Sequence, residues 1–299
     1  MSKLSICGAT FWLAATASAP AQQMIDLATV VEKLEKEGKY TLERAGVEIL
    51  SYDFKVDRDV VEAIAFRPVK EGKHPGVVLI PGYSRTARDY IPLGIRFARE
   101  GMAALAITQR GFGKSAGRAD FVGPKTMAAI EVGFRLFRWE AYVDAARMGI
   151  FGYSRGAMAA SLLAVRLKPE ELKAAAFGAG IYDFRKAYDE VKPVGIRENM
   201  EKEAGLTDAA IAERSSIRKM EALGCPVLIL HGEKDENAPV SQAYLLRDRL
   251  KALKKDFEIK TFPDRDHDIG RQNLNDNLLP FFKKHLVERA ATPGGAKQP

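Results

Sequence analysis

Five short and almost unbroken apolar runs punctuate the middle of this chain: Val77–Ile80, Ala103–Ile107, Met148–Phe151, Ala174–Phe177 and Val227–Leu230. Apolar runs this short, with no polar alternation, suit strands covered on both faces. Between them, residues such as Ile91, Ile95 and Ala98, or Ala243, Leu246, Leu250 and Leu253, recur at helical spacing. Buried strands alternating with amphipathic helices build a parallel sheet from βαβ units, and right-handed crossovers place helices on both faces. The expected fold class is therefore α/β, with a mostly parallel central sheet of about eight strands.

The flanking segments fit that scheme. Val47–Phe54 and Val60–Pro68 have extended character and are separated by residues 55–59, a hairpin turn. Phe257–Phe262 alternates as an edge strand does, and Leu274–Leu286 reads as a closing helix in which Pro280 must produce a kink or start a new segment. The stretch from Tyr182 to Met220 is long, charged and helical in tendency, so a small helical cap insertion over about 182–220 is expected.

The amino terminus has a different character. Met1–Lys3 is short and basic, Leu4–Ala15 is apolar, and Ala19-Pro20-Ala21 precedes Gln22-Gln23, the pattern of a secretory signal peptide. Pro20 disfavours a cut directly before it, which places the expected cleavage after Ala21. The apolar stretch falls short of the roughly 20 residues a spanning helix needs, so no stable membrane insertion is expected after its removal. A lipoprotein would need a small residue before Cys7, where Ile6 stands. The expected organisation is a signal peptide over 1–21, one α/β domain over 22–289 and a flexible tail over 290–299, with a secreted or periplasmic location. Within the domain, Met24, Leu27, Val31 and Leu34 mark one helix face before Gly38.

Composition excludes several partners. The formal charge is +7, but Lys and Arg are interspersed with acids and form no run of five or more, so nucleic-acid binding is not expected. Cys7 would leave with the signal, and Cys225 alone can form no intramolecular disulfide. No Cys/His cluster offers a structural metal site. Oligomeric state is not legible.

The chemistry gathers around Gly152-Tyr153-Ser154-Arg155-Gly156, which follows the buried strand Met148–Phe151 and precedes a helix-like segment, 157–167. A chain turning that sharply from strand to helix strains the serine and crowds its neighbours two residues away, where glycines 152 and 156 remove the collision. Ser154 is thus the candidate nucleophile, and it needs a base. His74 stands before the third strand, His231 reads as a structural residue closing Val227–Leu230, and His285 is expected on the solvated side of the last helix. His267, in the loop after Phe257–Phe262, is the histidine placed to overhang the serine. An orienting carboxylate is supplied by Asp235 in the loop 231–240, with Glu233, Glu236 and the aspartates around His267 as alternatives. The oxyanion is expected to sit between the backbone N–H groups of Arg155 and Tyr83, beside Gly82.

With these residues in view, the chain resembles the α/β-hydrolase superfamily over most of 50–287, and within it the dienelactone-hydrolase and prolyl-oligopeptidase-like group. Residues 142–156 are similar to the segment leading into that group's nucleophile, Arg110-Gly111-Phe112-Gly113-Lys114-Ser115 to its R-G-x-G-x-S turn, and Leu230–Val240 to its acid loop. The order Ser154, Asp235, His267 is that of the superfamily's catalytic triad. Dienelactone hydrolases use cysteine where Ser154 stands, and dehalogenase members use aspartate. Residues between the signal and the first strand are too few for the propeller that prolyl oligopeptidases carry. The expected activity is hydrolysis of a small carboxylic ester through an acyl-serine, without metal or organic cofactor. Small-peptide or amide hydrolysis is the alternative, and a non-catalytic binding protein on the same fold a third.

Overall fold

The computed structural model describes residues 46–288. The expected signal peptide, the 24–38 helix and the 290–299 tail lie outside the described residues. The main sheet is built from β1 (Val47–Ser51), β4 (Ala63–Pro68), β5 (His74–Ile80), β6 (Ala103–Ile107), β7 (Val143–Tyr153), β8 (Ala174–Gly178), β9 (Val227–Gly232) and β10 (Phe257–Phe262). Among the described residues these eight strands lie in the order β1-β4-β6-β5-β7-β8-β9-β10. From β6 to β10 every pairing is parallel, and β4 runs antiparallel to both β1 and β6. This is the α/β-hydrolase fold. The crossing of strand order at β5 and β6 puts the loops after β5 and β7 side by side, where α/β sheets open a crevice.

Two apolar layers sandwich the sheet. On one face Ile95 and Phe97 of α1 (Ile91–Arg99) meet Leu278, Phe281 and Phe282 of α8 (Arg271–Phe282). On the other pack α2 (Pro124–Arg138), α3 (Arg155–Ala164) and α7 (Ser241–Ala252). Cys225 is buried in that second layer, and burial pushes its thiol up to about 12, which makes it an inert packing residue.

Between β8 and β9 the chain forms α4 (Phe184–Glu190), α5 (Val194–Ala204), α6 (Asp208–Arg214) and a 3-10 segment, Ser216–Ala222. Asp183 caps α4 by accepting from the Lys186 N–H (3.1 Å), and Thr207 caps α6 through the Ala210 N–H (3.3 Å).

Three local expectations are corrected. The hairpin about residues 55–59 is confined to a separate two-stranded ribbon, β2 (Phe54–Val56) with β3 (Asp59–Val61), while β1 pairs with β4 in the main sheet. Tyr52 and Asp53 separate β1 from β2, and Glu62 separates β3 from β4. The closing helix begins at Arg271 and runs through Pro280 before widening into a π-turn over Lys283–Glu288. His285 is buried rather than solvated, its ring 4.7 Å from that of Phe281, because the wider turn carries a different set of side chains inward.

Candidate active site

β7 enters α3 with no intervening loop, and residues 152–156 form the junction. Ser154 has φ 56° and ψ −125°, a left-handed conformation that non-glycine residues seldom occupy. The flanking glycines allow it. A Cβ on Gly152 would lie 2.7 Å from the Ala157 nitrogen, and one on Gly156 would lie 2.6 Å from the Pro81 oxygen. The Ser154 N–H donates to the Gly178 carbonyl at 2.8 Å, which ties the bend to β8.

Remote loops converge on the hydroxyl. His267 Nε2 lies 2.8 Å from Ser154 Oγ, and His267 Nδ1 lies 2.8 Å from Asp235 Oδ2. A carboxylate facing Nδ1 calls for the proton there, which leaves Nε2 as the acceptor of the serine hydroxyl. Asp235 Oδ1 accepts the N–H groups of Asn237 (2.9 Å) and Ala238 (2.8 Å). Its side chain is fully buried, while that of His267 is partly open to solvent. Ser154, Asp235 and His267, separated by 81 and 32 residues in sequence, thus form one hydrogen-bonded line.

Burial alone would raise the Asp235 carboxyl. Hydrogen bonds from His231 and His267, the His267 charge and the Ala238 N–H outweigh it and hold the group at about 2, below the usual 3.8. A depressed carboxyl stabilises the fold above its unfolded pKa and loses that contribution as pH falls through the folded value. We therefore expect the unfolding free-energy difference between wild type and Asp235→Asn to shrink by about 2 kcal/mol from pH 5 to pH 2. Urea titrations at the two pH values measure it, and a pH-independent difference would contradict the assignment.

Two residues that sequence reasoning left outside the site support it. His231 is buried, with Nε2 at 2.6 Å from the Ala238 carbonyl and 3.3 Å from Asp235 Oδ2, so the structural histidine also holds the acid loop closed. Tyr153, the variable residue before the serine, donates its hydroxyl to the His267 carbonyl (2.6 Å) and accepts the Ile269 N–H (3.2 Å). The elbow therefore pins the loop that carries the histidine. An aromatic residue beside the serine is the only trace of this in the sequence. Glu233 instead accepts from Thr261, Glu236 pairs with Lys192, and Asp266 and Asp268 each accept a backbone N–H in their own turn. His74 lies at the far end of β5, bonded to the Lys70 carbonyl.

On the other side of Ser154, the loop after β5 brings Gly82 so near that a Cβ there would lie 3.1 Å from that of Ser154. Tyr83 follows, and Arg155 stands at the start of α3, where N–H groups and the helix dipole favour negative charge. The Arg155 side chain holds a position nothing in the sequence suggested. It is buried, lies 4.0 Å from the Phe121 ring centroid and 4.5 Å from that of Tyr83, and pairs with Glu203 of α5 at 2.7 Å. Burial draws its pKa down, and the Glu203 charge and hydrogen bond oppose the shift. A charged pair this enclosed joins the insertion to the helix that begins after Ser154.

A cleft of about 1190 Å³ opens over Ser154 and His267, walled by the loop after β5, by α1, by the start of α8, by Ile181 and by Ile196 and Asn199 of the insertion. Among the described residues, no group of three His, Cys, Asp or Glu side chains is placed to hold a metal ion, and no helix is long and apolar enough to cross a membrane.

A model of the prolyl oligopeptidase family matches residues 122–289, which contain all three aligned side chains. An uncharacterized peptidase of Bacillus subtilis (strain 168), YtmA, is 29% identical over 203 residues, covering 66% of this chain and 77% of that protein. Among solved structures, the acetyl xylan esterase from Paenibacillus sp. R4 superposes with a TM-score of 0.68 at 19% identity, over 83% of this chain and 86% of its own. Pyrococcus horikoshii acylaminoacyl peptidase gives a TM-score of 0.70 at 20% identity over 85% of this chain, which spans only 43% of that protein. Both solved structures therefore share the fold described above.

Proposed function

The chain belongs to the prolyl oligopeptidase family of serine hydrolases, and on that footing we propose that it cleaves a small carboxylic ester through an acyl-serine. The observation that carries this reading is the continuous hydrogen-bonded line Asp235–His267–Ser154, with both contacts at 2.8 Å. Ser154 Oγ attacks the carbonyl carbon while His267 Nε2 takes the hydroxyl proton. The oxyanion then accepts the N–H groups of Arg155 and Tyr83, and Asp235 holds the imidazolium in place. Collapse of the tetrahedral species breaks the bond to the leaving oxygen, which receives the proton from Nε2. Water repeats both steps on the acyl-serine, which frees the acid and restores Ser154.

An ester is proposed because the likeness to acetyl xylan esterase runs through more than four-fifths of both chains, whereas more than half of the acylaminoacyl peptidase lies outside its match. The family itself favours the second reading, hydrolysis of a small peptide or amide. An amide demands fuller protonation of a poorer leaving group, so the two separate kinetically. The expected result is covalent labelling by a fluorophosphonate and a kcat/KM on p-nitrophenyl esters at least a hundredfold above that on matching aminoacyl anilides. Comparable rates on the anilides would replace the ester reading by the peptidase one.

A further inference from the structure

We propose that Phe121 sets the acyl specificity of the cleft, and that the acyl group it admits is short and uncharged. The inference rests on the acyl-serine reading above. His267 must face the leaving group in order to protonate it, so the residues that follow it, Asp268, Arg271 and Leu274, border the leaving-group arm of the cleft. On this reading the acyl substituent is directed away from His267, toward the cleft-lining residues beside the helix that Ser154 starts: Met158 on that helix, Phe121, whose ring lies against Arg155, and Ile196 of α5.

This second arm presents apolar side chains and Asn199, and the acids lining the cleft among the described residues, Asp89 and Asp268, belong to other walls. Glu203, which lies beside the arm, is engaged by the Arg155 guanidinium (2.7 Å) and the Phe121 N–H (3.1 Å). A free α-ammonium entering here would lose its hydration without gaining a counter-charge. A neutral acyl group loses little.

The position of Phe121 is overdetermined. Its φ is 44° and that of Val122 is 59°, two consecutive bulky residues in the left-handed region. Such a conformation persists only where the surroundings enforce it, and it clusters where a side chain must be aimed. Here the enforcement is visible. Arg214 donates to the Phe121 carbonyl (2.9 Å) and the Asp120 carbonyl (2.8 Å), and the Asp120 carboxylate gathers the N–H groups of Gly123, Lys125 and Thr126 (each 3.1 Å). The ring is wedged between the Arg155 guanidinium and Phe184 of α4, whose ring centroid is 5.4 Å away. Phe121 cannot swing aside for a longer chain, and so it closes the arm.

Phe121→Gly tests this, because glycine adopts the same backbone without strain while the wall disappears. Across p-nitrophenyl acetate, butyrate, hexanoate and octanoate, the wild type is expected to lose at least tenfold in kcat/KM from butyrate to octanoate. The glycine variant should raise the octanoate-to-acetate ratio at least tenfold, whatever its absolute rate. Val122→Gly relieves the neighbouring strain without touching the wall, and should keep the wild-type ratio. N-acetylalanine p-nitrophenyl ester should exceed the alanine ester with a free amine by at least tenfold. A Phe121→Gly ratio within twofold of wild type, or equal use of the free-amine ester, overturns the inference while leaving a labelled, ester-cleaving enzyme intact. Absence of fluorophosphonate labelling in the wild type overturns the hydrolase reading, and this inference with it.

Discussion

Ser154→Ala is expected to lower ester turnover by about 10⁵–10⁶-fold while leaving the fold in place. The magnitude follows from the arrangement: with Oγ gone, His267 Nε2 faces no hydroxyl, and water must attack from a position that nothing holds. Alanine tolerates the positive φ about as well as serine, and the hydrogen bond that Oγ makes is to a partly exposed imidazole. The unfolding free energy should therefore move by no more than about 1 kcal/mol. Groups acting as one unit lose their effect together, so Ser154→Ala/His267→Ala should be no slower than the serine variant alone. Steady-state rates, fluorophosphonate labelling and a thermal melt measure all three. Turnover within tenfold of wild type in a folded, unlabelled Ser154→Ala protein would remove Ser154 from the mechanism.

Gly156→Ala should damage both stability and catalysis. The added methyl would meet the backbone oxygens of Ile80, which ends β5, and of Pro81, which follows it, and neither can turn aside as a side chain can. Overpacking against rigid backbone costs about 1–3 kcal/mol or more. For a domain of this size that corresponds to a fall in Tm of about 2–12 °C. The clash relaxes only if α3 retreats from β5. That movement separates the Arg155 N–H from the loop holding Tyr83, the two donors proposed for the oxyanion. Loss of one such donor costs about 10²–10³-fold in kcat. A melt and kcat measured on the same preparation test the pairing of effects. An unchanged Tm would show that the helix start has more room than its contacts indicate.

Legibility of the site varied with the kind of information each residue carries. Ser154 could be read because a bend this tight excludes side chains at 152 and 156, and glycines stand there. Asp235 and His267 could be read from their places in loops at the carboxyl ends of strands, the only edge from which they can reach Ser154. Arg155 and Tyr153 could not. Each was known as a neighbour of the serine, but whether a neighbour faces Glu203 in the insertion, or the carbonyl of His267, depends on helices and loops far away in sequence. The strained pair at 121 and 122 left no trace either, since neither phenylalanine nor valine signals positive φ.

The same division holds for the fold. Alternation of buried runs with amphipathic stretches was enough to establish a parallel sheet sandwiched between helices, because apolar periodicity is a local consequence of which faces must avoid water. Strand order, the separation of β2 and β3 into their own ribbon, the inward turn of His285 and the docking of the insertion through Arg155 and Glu203 are outcomes of packing. They rest on contacts between residues as many as 185 positions apart, as Phe97 and Phe282 are, whose energies depend on distance, and distance exists only once the chain has folded.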